Sequence, residues 1–430
     1  MKQMRLAVRF PGADSTTVRG GHRSGGQIDF SSFAHLARTA ERGKFDFFFL
    51  AGEGPCPREH HGRTHGLGVA GRPEPLTLLG ALAAVTDRLG LAATVDATDN
   101  GPYGLARRLA TLDHLSGGRA AWHVVTSPDA PTGEDVRRGG HLDRAERYTR
   151  AAEFVATARE LWDSWTPEGT ARPFAHTGQH FDISGEFTVP RSPQGHPVVL
   201  HSGDSDEGRE FAASAADVVL TRHGTLEDGQ ALYADVKARL AAYGRRPDDL
   251  TVMAGVTVVL GDTDAEAQEN AAAHRRLQVS PRNALPAPEQ VRGRDLSPYD
   301  PEGPPPGVGP GPEPDLVRGR ARTADPLRAA DTRRASSEAT GLAVRRTVVE
   351  ATTRQSLVGS PETVATALEA FVTAEAADGF VLVPHLTPGG LDDFVDRVVP
   401  LLQERGSFRS AYTGTTLRSH LGHAEPVWKG

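Results

Sequence analysis

Two kinds of segment alternate along the chain, short apolar runs and longer stretches in which apolar residues recur every three or four positions. The run Phe45–Ala51 is almost continuously apolar, which is typical of a strand buried on both faces of a parallel sheet. The stretch Phe30–Gly43 has helical spacing instead. This alternation predicts βα units arranged around a parallel sheet.

Eight apolar runs fit the strands of such a sheet, and helical stretches lie between and after them. The predicted strands are Met4–Phe10, Phe45–Ala51, Leu89–Asp96, Ala120–Ser127, Pro197–Gly203, Asp217–His223, Leu250–Leu260 and Gly379–Pro384. The predicted helices are Phe30–Gly43, Glu74–Asp87, Pro102–Ser116, Leu142–Trp165, Ser205–Ala216, Glu227–Gly244, Thr263–Arg276, Pro361–Ala374 and Gly390–Gly406. Eight strands with intervening helices favour one α/β domain over residues 1–430, a (β/α)₈ TIM barrel. An open doubly wound sheet is the alternative.

Two segments interrupt this rhythm. Residues Thr166–Gly195 form an insertion, for which we expect a small hairpin at Phe181–Val189. Residues 281–322 are rich in proline and glycine, a composition that resists regular structure. We expect this second insertion to be a loop over the barrel rim.

Composition and charge argue against several classes of function. The formal net charge is −7 and no basic stripe occurs, which argues against nucleic acid as a partner. The first residues lack the apolar run of a signal peptide, and no apolar stretch has the length of a membrane span. Cys56 is the single cysteine, so the chain cannot form an internal disulfide. We expect a soluble cytoplasmic enzyme without a nicotinamide-binding motif of its own.

Histidines at the ends of predicted strands are the main candidates for catalysis. His123 lies in the fourth strand, and His201, His223 and His385 lie at the ends of the fifth, sixth and eighth. In a barrel these ends meet at the face where active sites are built, so we predict that the four share one site. They could exchange protons near neutral pH or bind a metal, and both interpretations stay open.

Ser205 begins a predicted helix directly after the fifth strand. A helix N-terminus offers unsatisfied N–H groups and a partial positive charge, which suit a phosphate. Ser205 could equally serve as an N-cap, and the two roles are compatible.

Several longer motifs resemble those of the luciferase-like flavin monooxygenases, in particular the branch that oxidises nitrilotriacetate, dibenzothiophene sulfone and long alkanes. The motifs that carry the resemblance are Pro73–Ser127, Arg147–Trp165, Phe187–Ala212, Leu357–Ala365, Pro388–Gly406 and Tyr412–Gly422. The resemblance implies a (β/α)₈ barrel that binds reduced FMN supplied by a separate NAD(P)H:flavin reductase. It also implies oxygenation of a small organic substrate by O₂, in a homodimer or homotetramer.

The resemblance implies five cofactor-binding positions, of which three carry the residue typical of the family and two do not. Thr98 matches a threonine near the flavin ring, and Tyr148 and Ser205 match residues that hold the phosphate. Gly52 stands where the family commonly has an aspartate, and Arg144 stands where it has a histidine. An arginine at this position could also pair with a phosphate.

The rim histidines depart from the family pattern. His123 replaces an asparagine, His201 and His223 replace glutamines, and His385 replaces a proline. We predict catalytic roles for these four and for His22. One alternative function is a metal-dependent oxygenase or hydrolase built on the rim histidines, and a second is a non-catalytic flavin-binding protein. Use of a deazaflavin in place of FMN is a variant of the flavin-dependent monooxygenase.

Overall fold

The computed structural model describes residues 2–10, 18–19, 29–50, 59–60, 63–64, 73–98, 100–126, 144–223, 225–278, 355–384, 386–387 and 389–429. The strands are β1 (Arg5–Arg9), β2 (Val18–Arg19), β3 (Phe47–Leu50), β4 (Glu59–His60), β5 (Arg63–Thr64), β6 (Gly90–Asp96), β7 (Ala120–Val125), β8 (Pro173–Thr177), β9 (Asp182–Glu186), β10 (Val198–Ser202), β11 (Val218–Thr221), β12 (Thr251–Leu260), β13 (Gln355–Gly359), β14 (Gly379–Leu382) and β15 (Leu386–Thr387). The helices are α1 (Phe30–Arg42), α2 (Pro75–Ala83), α3 (Pro102–Ser116), α4 (Arg144–Asp163), α5 (Asp206–Ala215), α6 (Leu226–Arg239), α7 (Asp264–Gln278), α8 (Pro361–Thr373), α9 (Gly390–Arg397), α10 (Val399–Glu404) and α11 (Leu417–Leu421). The predicted rim loop at 281–322 lies outside these residues and stays a prediction.

Parallel pairing closes the main sheet into a barrel. The strands follow one another in the order β1, β3, β6, β7, β10, β11, β12 and β14, and β14 pairs back onto β1. The contact that excludes an open sheet is β11 with β12, which places Val218 opposite Thr251. The (β/α)₈ barrel predicted from the sequence is therefore confirmed, and the doubly wound alternative is wrong.

Alternation along each strand separates two apolar layers. Outward residues such as Leu6 and Val8 pack with the helices in the larger core, whereas Ala7 belongs to a smaller cluster inside the barrel. Helix α11 closes this inner cluster from the amino-terminal end, because Leu417 and Leu421 belong to it. A short plug from the C-terminal tail thus fills one end of the lumen.

Three aspartates hold neighbouring strands in register at that same end. Asp46, Asp217 and Asp378 each precede a barrel strand, are nearly inaccessible to solvent, and accept a backbone N–H from the strand beside them. The donors are Leu6, Val199 and Val252, each at 2.8 Å.

Each of these carboxylates also contacts a cationic side chain. Asp217 receives two hydrogen bonds of 3.1 Å from Arg418, which belongs to α11. Burial alone would raise the pKa of the Asp217 carboxyl, but the charge of Arg418 and then that of Arg159 hold it well below its usual range. Asp46 pairs with Arg409, and Asp378 pairs with Lys237 at 3.0 Å.

Some boundaries differ from the prediction for identifiable reasons. The hairpin in the insertion is formed by β8 and β9, so its first strand precedes the predicted span Phe181–Val189. The predicted helix Gly390–Gly406 is two helices, because Pro400 has no N–H to donate to the preceding turn. Strand β13, which pairs with the distal half of β12, was not predicted, since its apolar part is only two residues long. Among the described helices, none combines the length and apolarity needed to cross a membrane.

The buried pair of Asp217 with Arg418 predicts a large effect of removing its charge. We expect Asp217→Asn to lower the free energy of unfolding by about 3–5 kcal/mol, because Arg418 is left as an uncompensated buried cation. Urea unfolding followed by circular dichroism measures this change. Asp262→Asn is the matched control, since it removes an ion pair with Arg397 in which Asp262 is 83% exposed, and we expect less than about 1 kcal/mol there. Equal effects of the two substitutions would contradict the account of the strand register.

Candidate active site

Polar side chains replace the apolar cluster toward the carboxyl-terminal end of the lumen. His123 follows Ala121 on the inner face of β7, and Ser202 follows Leu200 on the inner face of β10. The His123 ring is 5% exposed and packs edge-on against Phe49 with ring centroids 5.1 Å apart. Its Nε2 lies 2.9 Å from Ser202 Oγ. The two side chains form one hydrogen-bonded unit at the mouth of the barrel.

The partners of the His123 ring determine its tautomer. Thr94 Oγ1 donates its only proton to the carbonyl oxygen of Leu50 at 2.8 Å, and it also lies 3.1 Å from His123 Nδ1. Nδ1 must therefore carry a proton and donate to Thr94, and in a neutral ring this leaves Nε2 as an acceptor for the Ser202 hydroxyl. The ring is held as a neutral imidazole with a defined orientation.

Burial opposes protonation of this ring. It lowers the pKa of His123 to about 3, and the charges of His201 and Arg9 act in the same direction. A lowered pKa argues against proton exchange by His123 near neutral pH. A catalytic role for His123 in its neutral form stays a prediction.

His201 lies on the other side of the barrel wall. It alternates with Leu200, so its ring faces the helices, where it contacts Tyr148 and Phe211 at centroid distances of 5.7 and 4.7 Å. Its Nδ1 donates to the carbonyl of Val124 at 3.2 Å. Its buried Nε2 has no hydrogen-bond partner among the described residues, and burial lowers its pKa to about 4.

His223 also lies outside the lumen. It stacks on Phe371 of α8 with centroids 6.1 Å apart, and it lies against Gly229 of α6. Burial lowers its pKa as well. The prediction that the strand-end histidines meet in one site is therefore wrong for His201 and His223, which do not face the lumen with His123. His201 lies against Tyr148 instead, and the predicted catalytic roles of His201 and His223 stay predictions. His22 and His385 lie outside the described residues, so their roles stay predictions.

The metal alternative finds no ligand cluster in this part of the chain. Within the described ranges, no three histidine, cysteine, aspartate or glutamate side chains come together in a way that could hold a metal ion. The lumen instead offers hydroxyl groups and a neutral imidazole beside Arg9, which is 8% exposed.

The start of helix α5 forms a cradle beside the lumen. Ser205 is its N-cap and accepts the N–H of Gly208 at 3.2 Å. A Cβ placed on Gly203 would lie 3.2 Å from Tyr148 Oη, and one on Gly208 would lie 3.1 Å from it. The absence of side chains at these two glycines lets the tyrosine hydroxyl approach the helix start. Tyr148 and Ser205, which were predicted to hold a phosphate, are therefore brought together.

The remaining predicted cofactor residues are placed in part. Thr98 follows β6, and its carbonyl accepts a hydrogen bond of 3.2 Å from Arg150 of α4, the helix that also carries Tyr148. Arg144 begins α4, but its side chain is outside the described part of the structure, as is Gly52. Their predicted roles stay predictions.

Sequence reasoning missed Thr94, Ser202 and Arg150. Thr94 and Ser202 both occupy inward positions near the ends of strands, Ser202 directly after His201 and Thr94 opposite His123 in the pairing of β6 with β7. Strict alternation along β10 would have separated Ser202 from His201 and assigned the two to opposite faces.

Comparison with known proteins agrees with this architecture. Residues 9–378 match the family of luciferase-like monooxygenases. The chain is 39% identical to nitrilotriacetate monooxygenase component A of Aminobacter aminovorans, covering 97% of this chain and 93% of that protein. It is 37% identical to dibenzothiophene-sulfone monooxygenase of Rhodococcus erythropolis strain XP, covering 100% and 98%. A solved structure of a riboflavin lyase with modified FMN and riboflavin superposes with a TM-score of 0.78 at 28% identity, covering 100% and 98%.

The fold and these matches together identify the protein as an oxidoreductase built on a (β/α)₈ barrel. The chain belongs to the luciferase-like monooxygenases. The resemblance inferred from sequence motifs, including the branch that contains the nitrilotriacetate and dibenzothiophene-sulfone enzymes, is confirmed.

The buried, neutral His201 predicts a pH dependence of folding. Its pKa is about 4 in the folded chain and near 6.5 when unfolded, so the unfolded state binds the extra proton between these values. The contribution of this neutral ring to the free energy of unfolding is fully present above pH 6.5. It falls by about 3 kcal/mol as the pH falls toward 4.

We expect His201→Gln, which cannot titrate, to unfold with a smaller loss of stability between pH 6.5 and 4 than the wild type. Urea unfolding at a series of pH values compares the two slopes. Leu115→Ala, at a site 67% exposed, serves as the control and should keep the wild-type slope. Parallel pH profiles of wild type and His201→Gln would contradict the assignment.

Proposed function

We propose that this chain is the oxygenating component of a two-component FMN-dependent monooxygenase. The observation that carries the proposal is the cradle formed by Tyr148 and the Ser205 helix start at the carboxyl-terminal rim of the barrel, where this fold builds its active sites. The riboflavin lyase that superposes on this chain was solved with a modified FMN, which supports a flavin as the cofactor. A relative named component A supports a separate protein that supplies reducing equivalents.

The residues of the cradle fit the phosphate of FMN. A helix N-terminus and a tyrosine hydroxyl both donate hydrogen bonds to an anion. The first turn of α5 contains two acidic residues, Asp206 and Glu207, and the charge of Asp206 is paired with Arg239 at 2.6 Å. Tyr148 and Ser205 would hold the phosphate, Arg144 would add charge, and Thr98 and the backbone near Gly52 would lie beside the ring.

The bound flavin would supply the redox chemistry, in which its reduced form passes electrons to O₂, one oxygen atom enters the substrate and the other becomes water. The protein would supply a chamber from which water is excluded. The apolar cluster below His123 and the α11 plug exclude water from the amino-terminal side, so ligands enter only from the rim. His123 is neutral and holds its hydrogen bonds, so it positions groups rather than donating protons.

The substrate proposed is a small organic molecule oxygenated at a heteroatom or a carbon centre. Both relatives named above act on compounds of this kind, nitrilotriacetate and dibenzothiophene sulfone. The partner proposed is an NAD(P)H:flavin reductase, with a homodimer or homotetramer as the assembly. No observation on the described residues favours the metal-dependent or the non-catalytic alternative.

The proposal predicts that loss of the phosphate grip weakens FMN binding selectively. We expect Tyr148→Phe and Ser205→Ala each to raise the Kd for FMN by roughly tenfold to a hundredfold, as expected for a lost hydrogen bond to a charged group. Riboflavin, which lacks the phosphate, should bind the variants as it binds the wild type. Fluorescence titration measures both ligands.

Matched controls separate this effect from a change in folding. Tyr243→Phe removes the hydroxyl of an exposed tyrosine in the 3₁₀ turn that follows α6, and Ser214→Ala removes a hydroxyl at the other end of α5, where it donates to the carbonyl of Phe211. Both should bind FMN like the wild type. Unchanged FMN affinity in Tyr148→Phe and Ser205→Ala would remove the basis of the proposal.

A further inference from the structure

Ser202 is a rim hydroxyl to which no role has yet been assigned. It is the last residue of β10, it is exposed, and it faces the lumen because its contact is with the inward ring of His123. Inward-facing residues below it on the same strand, Val198 and Leu200, are buried and apolar. Ser202 is therefore the point at which the inner face of β10 changes from apolar to polar.

The hydrogen bonds behind Ser202 run in one direction only. The Leu50 carbonyl accepts from Thr94, Thr94 accepts from His123 Nδ1, and His123 Nε2 accepts from Ser202. The Ser202 proton is thereby committed to the histidine, and its oxygen lone pairs are left for the lumen. Because the chain of bonds ends at a backbone carbonyl, it offers no route for a proton to leave. It orients the serine and does not relay protons.

An oxygen that can only accept selects a ligand that donates. The position of Ser202 indicates which part of the ligand this is. Ser202 precedes Ser205 by three residues, and an extended chain spans at most about 10 Å over that distance. Ser202 faces the lumen within that distance of Ser205, so a ligand with its phosphate at the start of α5 and its ring in the lumen would have its connecting part within reach of Ser202. In FMN the connecting part is the ribityl chain, which carries hydroxyl donors.

We propose that Ser202, oriented by His123, accepts a hydrogen bond from a ribityl hydroxyl of the flavin. The inference rests on the proposed function, because it takes the phosphate at Tyr148 and Ser205 as its anchor. Ser202 is then a cofactor-binding residue, and His123 and Thr94 are positioning residues that act through it.

Three flavins that differ by one part each test this assignment on the full chain. FMN carries ring, ribityl chain and phosphate, riboflavin lacks the phosphate, and lumiflavin lacks both phosphate and ribityl chain. We expect Ser202→Ala to raise the Kd for FMN and for riboflavin by roughly three- to tenfold, the usual effect of one neutral hydrogen bond. Lumiflavin should bind Ser202→Ala and wild type equally. Ser214→Ala is the matched control and should bind all three like the wild type.

The pattern of results separates the two proposals. Ser205→Ala should weaken FMN but not riboflavin, whereas Ser202→Ala should weaken both. If Ser202→Ala binds all three flavins like the wild type, the ribityl assignment is overturned. If the wild type binds none of the three, the proposed function itself fails.

The direction of the hydrogen bonds has a test that does not depend on any ligand. In protein labelled with ¹⁵N-histidine, the His123 signals are those missing from His123→Asn. We expect a protonated Nδ1 and an unprotonated Nε2, with no titration between pH 8 and 5. In Ser202→Ala the Nε2 signal should move further toward that of a free lone pair while Nδ1 stays protonated. A proton on Nε2 in the wild type would overturn the proposal, because Ser202 would then be free to donate to the ligand.

Discussion

The arrangement depends on buried carboxylates that hold the amino-terminal ends of the strands. Asp46, Asp217 and Asp378 each accept the backbone N–H of the second residue of a neighbouring strand, and each contacts a cation. A one-residue slip of a strand would turn every inward side chain outward, so fixing the register fixes which residues reach the lumen. A buried carboxylate is costly unless it is fully paired, and these three are paired both by hydrogen bonds and by charge.

The two ends of the barrel differ in their packing and polarity. The amino-terminal end is filled by Leu417 and Leu421 of α11, and Arg418 from the same helix neutralises Asp217. The other end has no such plug among the described residues, and it is lined by the hydroxyl groups of Thr94 and Ser202 and by the imidazole of His123. Rigidity at one end and polar groups at the other are what a site for a large, partly charged cofactor requires.

Much of the fold could be predicted from the sequence because eight apolar runs and their helices are long and regular. Periodicity could not decide whether the strands form a closed barrel or an open sheet, because closure depends on the pairing of β11 with β12. Tyr148 and Ser205 were identified through the motifs, and the glycines that bring them together were not, because close approach is a property of the folded backbone.

The histidines show why residues near the ends of barrel strands cannot be assumed to share one site. His123 and His201 both lie in barrel strands, but an inward and an outward residue meet different environments. Their titration also depends on burial, which lowers the pKa of His123 to about 3 and that of His201 to about 4, and burial of a polar side chain is not visible in its sequence neighbours.

We propose that the rim of this barrel binds reduced FMN through its phosphate. Anaerobic calorimetric titration of the purified chain with reduced FMN tests this most directly, with reduced riboflavin titrated in parallel. The account predicts saturable binding of one flavin per chain, with FMN bound more tightly than riboflavin by at least roughly tenfold, the value of one charge-assisted hydrogen bond. Absence of saturable binding, or equal affinity for the two flavins, would contradict it.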